Sequence, residues 1–414
     1  MTDFIGGISR RGFIAGAACV AVAMGTLGWL GMGGGAVRAS AAETAATVDN
    51  GDGTRTFTDD AGRALVIPSV ENLTGIYFTS PISEIFSFTL APDLGIGTTY
   101  ENLSDAELEL LPQGYGELPY LGSLAGGGEM NYEAIIDAGP QLIINISSSD
   151  LTDSDVSTTD EIQNQTGVPV VLLNGAMENV ANLYARLGDL LGREDDAKRL
   201  SDYCTKVLDD VKAAVGGLSD DQKTTLYYAE GSDGLQTEPE SSPHALTFKL
   251  AGAKNVADVE ANPGKGMSQV SLEQVLAWDP EVIIAWSTEV RGGASDTIVT
   301  DENWAQITAV KQGRVYAMPN TPFSWCDRPP SVNRFLGVQW VANLLYPDLY
   351  DVDMVEVTKE FYSTFYHVDI DDAKAIELLG NSYSGGDGAV AASASKGADK
   401  ASGSKAASSG KDAA

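Results

Sequence analysis

The loop PNTPFSWCDRPPSVNR, residues 319–334, is the most unusual stretch of the chain. Trp325, Arg328 and the paired prolines Pro329 and Pro330 place a cation beside an aromatic ring in a rigid turn. A guanidinium suits bidentate recognition of a carboxylate, phosphate or other oxyanion. The alternative keeps Arg328 structural, paired with Asp327 or capping a helix end. Arg334 follows at the start of a helical pattern. Tyr77, Tyr100, Trp286 and Trp325 are candidates to line an aromatic-rich cleft for a bulky chelate or macrocycle. The chain has two histidines. His244 lies in a loop that could meet the same cleft and ligate iron or cobalt; His367 follows the last helical pattern and is set aside.

These residues do not make a catalytic set. An enzyme needs a convergent nucleophile, base and metal ligands, and the sequence contains no HExxH, GxSxG or cluster of His, Cys and Asp. Cys19 lies in the N-terminal apolar segment. Cys204 reads as a small buried hydrophobe on a helix, and Cys326 as a thiol in the unusual loop. Three cysteines so placed make neither a disulfide framework nor a zinc knuckle. No protein-held metal and no cofactor are expected. The net charge of −32 argues against nucleic acid, whose phosphates require clustered Lys and Arg, and favours basic partner surfaces.

The elements that must position these side chains form two similar halves. MNYEAIIDAGPQLIIN at 130–145 returns without a gap as VSLEQVLAWDPEVIIA at 270–285, every pair offset by 140 residues. Solenoid repeats recur at roughly 20–50 residues, so this offset implies two lobes. In each copy a polar residue, Asn131 or Ser271, sits at an N-cap position, and Ser271 with Gln274 reads as a capping box. A short helix then stops before Pro140 or Pro280, and a buried strand follows. Glu133 and Glu273 fall in the first helical turn, where the dipole favours a carboxylate by about 0.3–1 kcal/mol. Placed on equivalent corners of two lobes, they also make a paired docking feature for a basic partner.

Strand patterns at 72–78, 95–100, 141–145, 168–174, 224–231, 281–286 and 314–319 alternate with helical ones, after a hairpin at 53–67. The helical patterns fall at 83–94, 177–192, 194–217, 244–257, 335–347 and 352–366. The expected fold is α/β: two lobes, each with a mostly parallel sheet flanked by helices, joined by one long rigid helix. The expected divisions are an export signal at 1–41, a first lobe at 42–192, the connecting helix at 193–217, a second lobe at 218–383 and a disordered low-complexity tail at 384–414. Ligands of open α/β sheets bind beyond the carboxyl ends of the strands. The loops there are 77–81, 98–102, 121–126 and 145–150 in the first half, and 229–244, 286–293 and 319–334 in the second.

The order and spacing of MNYEAIIDAGPQLII, GVPVVLL, the helix at 194–217, LAGAKNVA, VSLEQVLAWDPEVII and WAQITAVKQGRVYAMP resemble the substrate-binding proteins of ABC importers for iron-siderophores, haem and cobalamin. The resemblance runs from about residue 55 to 370. It implies an extracytoplasmic, monomeric protein that is not an enzyme. Such a protein captures a metal chelate (ferric siderophore, haem or corrinoid) between its lobes and delivers it to an ABC permease in the membrane. It also implies that Glu133 and Glu273 dock onto permease arginines. A W-x-D-R-P-P stretch recurs in a subgroup whose ligands include metal complexes and molybdate-like oxyanions, so the alternative ligand is a metal oxyanion such as molybdate or tungstate. An exported metal-dependent enzyme is the more remote alternative.

The N-terminus reads as an address. Arg10 and Arg11 in SRRGFIAG precede an uncharged, Gly-rich run from Gly12 to Val37, then Arg38 and small residues. This is an export-signal pattern and resembles the twin-arginine motif. The run is long enough to span a membrane, so a retained anchor is the competing reading. Cys19 comes too early for lipidation to be expected.

Overall fold

The computed structural model describes residues 47–125, 128–262 and 266–383. The export signal and the low-complexity tail lie outside these residues. Alternating Thr, Phe and Val build an antiparallel meander of β1 (Val48–Asp49), β2 (Thr54–Thr58) and β3 (Ala64–Pro68). Its turn is held by Asp59, whose carboxylate accepts the backbone N–H groups of Ala61 and Arg63. Short runs of Ile, Val and Leu buried on both faces then form a parallel sheet. It contains β4 (Ile76–Phe78), β5 (Leu142–Ser147) and β6 (Val170–Asn174), in that order.

The second lobe contains β7 (Thr225–Ala229), β8 (Gln236–Thr237), β9 (Lys254–Asn255), β10 (Ser268–Gln269), β11 (Val282–Trp286) and β12 (Val315–Met318). Four of them form a parallel sheet in the order β12-β11-β7-β9, and β8 and β10 form a small antiparallel ribbon beside it. The fold is α/β with helix-flanked parallel sheets in two lobes, as expected.

Between the sheets runs the helix Glu194–Val215, about 33 Å long at 1.5 Å per residue. Acids fill its first turn and Lys212 its last, matching the helix dipole. Its apolar stripe, Ala197, Leu200, Cys204, Val207, Val211 and Val215, is buried. It packs on helices Val180–Leu191, Leu246–Leu250 and Asn333–Leu345. One hydrophobic core therefore continues from Phe57 and Ile143 through Leu200 and Val211 to Phe335 and Leu379, while a smaller one around Ile283 and Ile307 belongs to the second lobe. No helix among the described residues is long and apolar enough to cross a membrane.

Several segments depart from the sequence reading; the helix expected at 244–257 is α-helical only at Leu246–Leu250 and gives way to β9 at Lys254–Asn255. The strand expected at 95–100 makes only isolated bridges, Ile76 with Gly95 and Thr98 with Tyr120. A side chain at Gly97 would meet Leu121 at 2.6 Å, so that segment is shaped by close approach rather than by a ladder. Helix Asp153–Thr166 was not anticipated, because only Thr159, Ile162 and Thr166 of it are buried and its start rests on a Thr152–Asp155 capping box. The last expected helix divides: Met354–Phe361 is α-helical, and Tyr362–Tyr366 widens into a π-turn that ends at His367 with φ +57°.

Candidate ligand-binding cleft

In the second lobe, β11 ends at Trp286 and runs into the short helix Thr288–Arg291. Its last residue points back over the strand end. The Arg291 guanidinium lies 4.2 Å from the centroid of the Trp286 ring, within cation–π range. Its Nη1 donates to Asn320 Oδ1 at 3.1 Å and to the Arg328 carbonyl at 3.0 Å. Trp286 is fixed in turn, its Nε1 donating to the Tyr228 hydroxyl at 2.8 Å.

The first lobe contributes Tyr100. Its ring stacks on Phe323 of the second lobe at 4.5 Å and 22°, which closes the cleft along that edge. Its hydroxyl is buried and has no hydrogen-bond partner among the described residues. Burial pushes that hydroxyl well above the usual tyrosine range, the Glu84 carboxylate and Tyr366 add to the rise, and the positive charge of Arg291 opposes it more weakly. An orphaned buried hydroxyl is uncommon and costs about 1–3 kcal/mol, so this position calls for an acceptor or donor from outside the chain. A cavity of about 310 Å³, lined in part by Thr98, Tyr100, Asn102 and Tyr120, opens beside it on the first-lobe side.

Tyr100 stands on a buried polar scaffold. Its N–H donates to Thr98 Oγ1 at 3.0 Å, and Thr98 Oγ1 is 2.9 Å from the Tyr115 hydroxyl. The Glu84 carboxylate, at the floor, accepts the Thr99 N–H at 2.7 Å and the hydroxyls of Thr99 and Tyr115. Desolvation raises the Glu84 pKa, and these hydrogen bonds oppose the rise.

Several expected site residues are placed elsewhere. Tyr77 is fully buried in β4, its hydroxyl donating to the Gly122 carbonyl at 2.6 Å; it supports the cleft loops from beneath. Trp325 is 1% exposed, edge-on to Trp340, with Nε1 donating to the Tyr362 hydroxyl; its ring belongs to the core. Arg328 is engaged by neighbours from its own lobe. It adopts φ +54°, and its guanidinium turns inward onto carboxylates. Nε lies 2.9 Å from Glu230 and 3.3 Å from Asp327, and Nη2 lies 2.6 Å from Glu238. The cation is neutralised by buried acids, so the structural alternative, pairing with Asp327, describes its surroundings better than an open clamp. His244 is committed too, its Nδ1 lying 2.7 Å from Asp327 Oδ1. Among the described residues no group of three or more His, Cys, Asp and Glu could hold a metal ion. Cys204 and Cys326 are free and buried, and burial raises both thiols.

Of the expected residues, Tyr100 meets Phe323 of the 319–334 loop, and Trp286 meets Arg291 and Tyr228 at the end of β11. Arg291, Asn320 and Phe323 lie in the 286–293 and 319–334 loops expected at strand carboxyl ends, and no local sequence pattern singles them out there.

The repeated helices Tyr132–Ala138 and Leu272–Trp278 share one design. Asn131 caps the first through its side chain, and Ser271 with Gln274 forms a capping box on the second. Each ends in the left-handed region, at Gly139 and at Asp279. Asp279 holds that conformation while its carboxylate accepts the Thr308 N–H at 2.6 Å and hydroxyl at 2.8 Å. Glu133 and Glu273 are both exposed.

Comparison with known proteins agrees with this architecture. The family model described as Periplasmic binding protein matches residues 90–322. An ABC transporter solute-binding protein from Sulfurospirillum deleyianum is 30% identical with a TM-score of 0.71, over 78% of this chain and 98% of that one. The molybdate-binding protein MolA of Haemophilus influenzae is 35% identical over 153 residues, 37% of this chain and 41% of that protein, so the match spans less than half of that relative's length. Helicobacter pylori CeuE in a Ni–His complex shares the fold at 15% identity and a TM-score of 0.56, over 79% of this chain and 99% of that one.

Proposed function

The chain belongs to the periplasmic binding protein family, the solute-binding components of ABC transporters, and on that premise we propose that it captures a small oxyanion of the molybdate or tungstate class outside the membrane and delivers it to an ABC permease. The observation that carries this reading is the buried, partnerless Tyr100 hydroxyl, together with an Arg291 guanidinium that uncharged groups hold at the end of β11. An oxyanion between them would accept from the hydroxyl and the guanidinium together. The Tyr100–Phe323 stack leaves that edge of the cleft narrow, which suits a small ligand. The stretch shared with a molybdate-binding protein points the same way.

A metal chelate is the second reading. The Trp286 ring, half-buried at the strand end, and the cavity beside Tyr100 favour it. In both readings Glu133 and Glu273 dock onto basic permease residues. Residues 42–192 and 218–383 act as the two lobes about the connector at 193–217, and residues 1–41 direct export by the twin-arginine route.

Calorimetric titration of the purified protein with molybdate tests the oxyanion assignment. Charge-assisted hydrogen bonds contribute about 1.5–3 kcal/mol, so Arg291→Ala should weaken molybdate roughly 10- to 150-fold. An unchanged Kd for that variant would move the anion away from Arg291.

A further inference from the structure

We infer that Asn320 determines the charge preference of the cleft by holding Arg291 through a neutral oxygen; the inference rests on the oxyanion reading above. The chain offers two arginines in one neighbourhood with opposite surroundings. The Arg328 guanidinium faces Glu230, Glu238 and Asp327. The contacts of the Arg291 guanidinium include an amide oxygen, a backbone carbonyl and an indole ring, none of which carries a formal charge. In a chain of net charge −32, carboxylates are the abundant partners for an arginine. A neutral collar fixes the guanidinium without cancelling its charge, leaving that charge for an incoming anion.

Asn320 is the member of the collar that a single atom can convert. It lies on the loop after β12, two residues before Pro322, and is half-buried. Donation from Arg291 Nη1 fixes its amide with the oxygen toward the guanidinium. Asp is nearly isosteric and would put a carboxylate oxygen in the same place. That change keeps the contact and removes the net positive charge. Asn320 is therefore a positioning residue: it acts on the ligand through Arg291.

The test compares the intact protein with Asn320→Asp and Asn320→Ala, titrating molybdate at several chloride concentrations and recording Tm for each. Asn320→Asp should retain or raise Tm and weaken molybdate at least 30-fold, with a flattened dependence of affinity on salt. Asn320→Ala should lose less than tenfold and keep the salt dependence, because the guanidinium retains its charge and its contacts with Arg328 and Trp286. Asn320→Asp binding molybdate within threefold of the original would overturn the inference, as would an Asn320→Ala protein whose salt dependence vanishes. The second result stands even if Asn320→Asp does not fold. If the unaltered protein binds neither molybdate nor tungstate, the oxyanion reading fails first and takes this inference with it. Normal binding by the unaltered protein with unaffected variants overturns the role of Asn320 alone.

Discussion

Arg328 and Arg291 differ in what long-range packing puts beside them. Arg328 reaches acids 98 and 90 residues away in sequence, Glu230 and Glu238. Nothing in the local sequence of the 319–334 loop reveals that, which is why a conspicuous arginine was read as open. Breaking such a buried pair typically costs about 3–5 kcal/mol, because the acids are left uncompensated. The same burial pushes the Glu230 carboxyl up to about 8, against the favourable charge of Arg328, with Asp327 and Glu238 adding to the rise. In an unfolded chain it would titrate near ~4.3. Between those values the folded protein holds a proton that the unfolded chain has lost. The Glu230 contribution is therefore complete below about pH 4.3, declines as pH rises toward 8, and is gone above it. The slope is at most about 1.4 kcal/mol per pH unit. Denaturant melts from pH 5 to 9 should show this decline in the original protein and a flatter profile for Glu230→Gln; parallel profiles would place the titration elsewhere. Buried groups facing Glu230 that shift in the same field include Tyr227 and Tyr228, both far outside that window.

Elements were legible wherever a local rule defined them. The cap at Asn131, the capping box at Ser271 and the strands after Pro140 and Pro280 are visible as sequence patterns, and the repeat made each copy support the other. Helix Asp153–Thr166 was not legible, since a polar helix held by its caps leaves little periodicity to read. Both repeated helices present their glutamates to solvent at the first turn, where the helix dipole favours each carboxylate by about 0.3–1 kcal/mol, and Glu273 is also hydrogen-bonded to its own backbone and to Ser271. Reversing both charges gives up that support and costs roughly 1–2 kcal/mol. Glu133→Lys combined with Glu273→Lys should therefore lower Tm by a few degrees, leave ligand affinity nearly unchanged and reduce permease-dependent uptake at least tenfold. Uptake at the original rate would remove these two corners from the docking surface, and lost ligand affinity would assign them to the cleft.

At the scale of the whole molecule, the long helix and the core that passes through it tie the lobes together. His367 Nε2 reaches the Thr89 carbonyl at 3.1 Å, and Phe88, Phe323 and Tyr366 form an aromatic group across the lobes. A connector packed along its length favours a small shear-like adjustment over a wide hinge opening. A small ligand suits that limited motion. The division into two α/β lobes was readable from the repeat and the strand–helix alternation. Tyr100 and the three loops around the cleft were readable too; Arg291 and Phe323 were not singled out within them, because their partners, Trp286 and Asn320 for the one and Tyr100 for the other, are set by long-range packing. The most direct measurement is a thermal-shift comparison of the purified protein with molybdate, tungstate, ferric siderophores, haem, corrinoids and Ni–His. A ligand at 100 times its Kd adds about 2.7 kcal/mol of stability. The account predicts a rise in Tm with molybdate or tungstate and none with the chelates. A rise with a siderophore, haem or corrinoid, and none with either oxyanion, would contradict it.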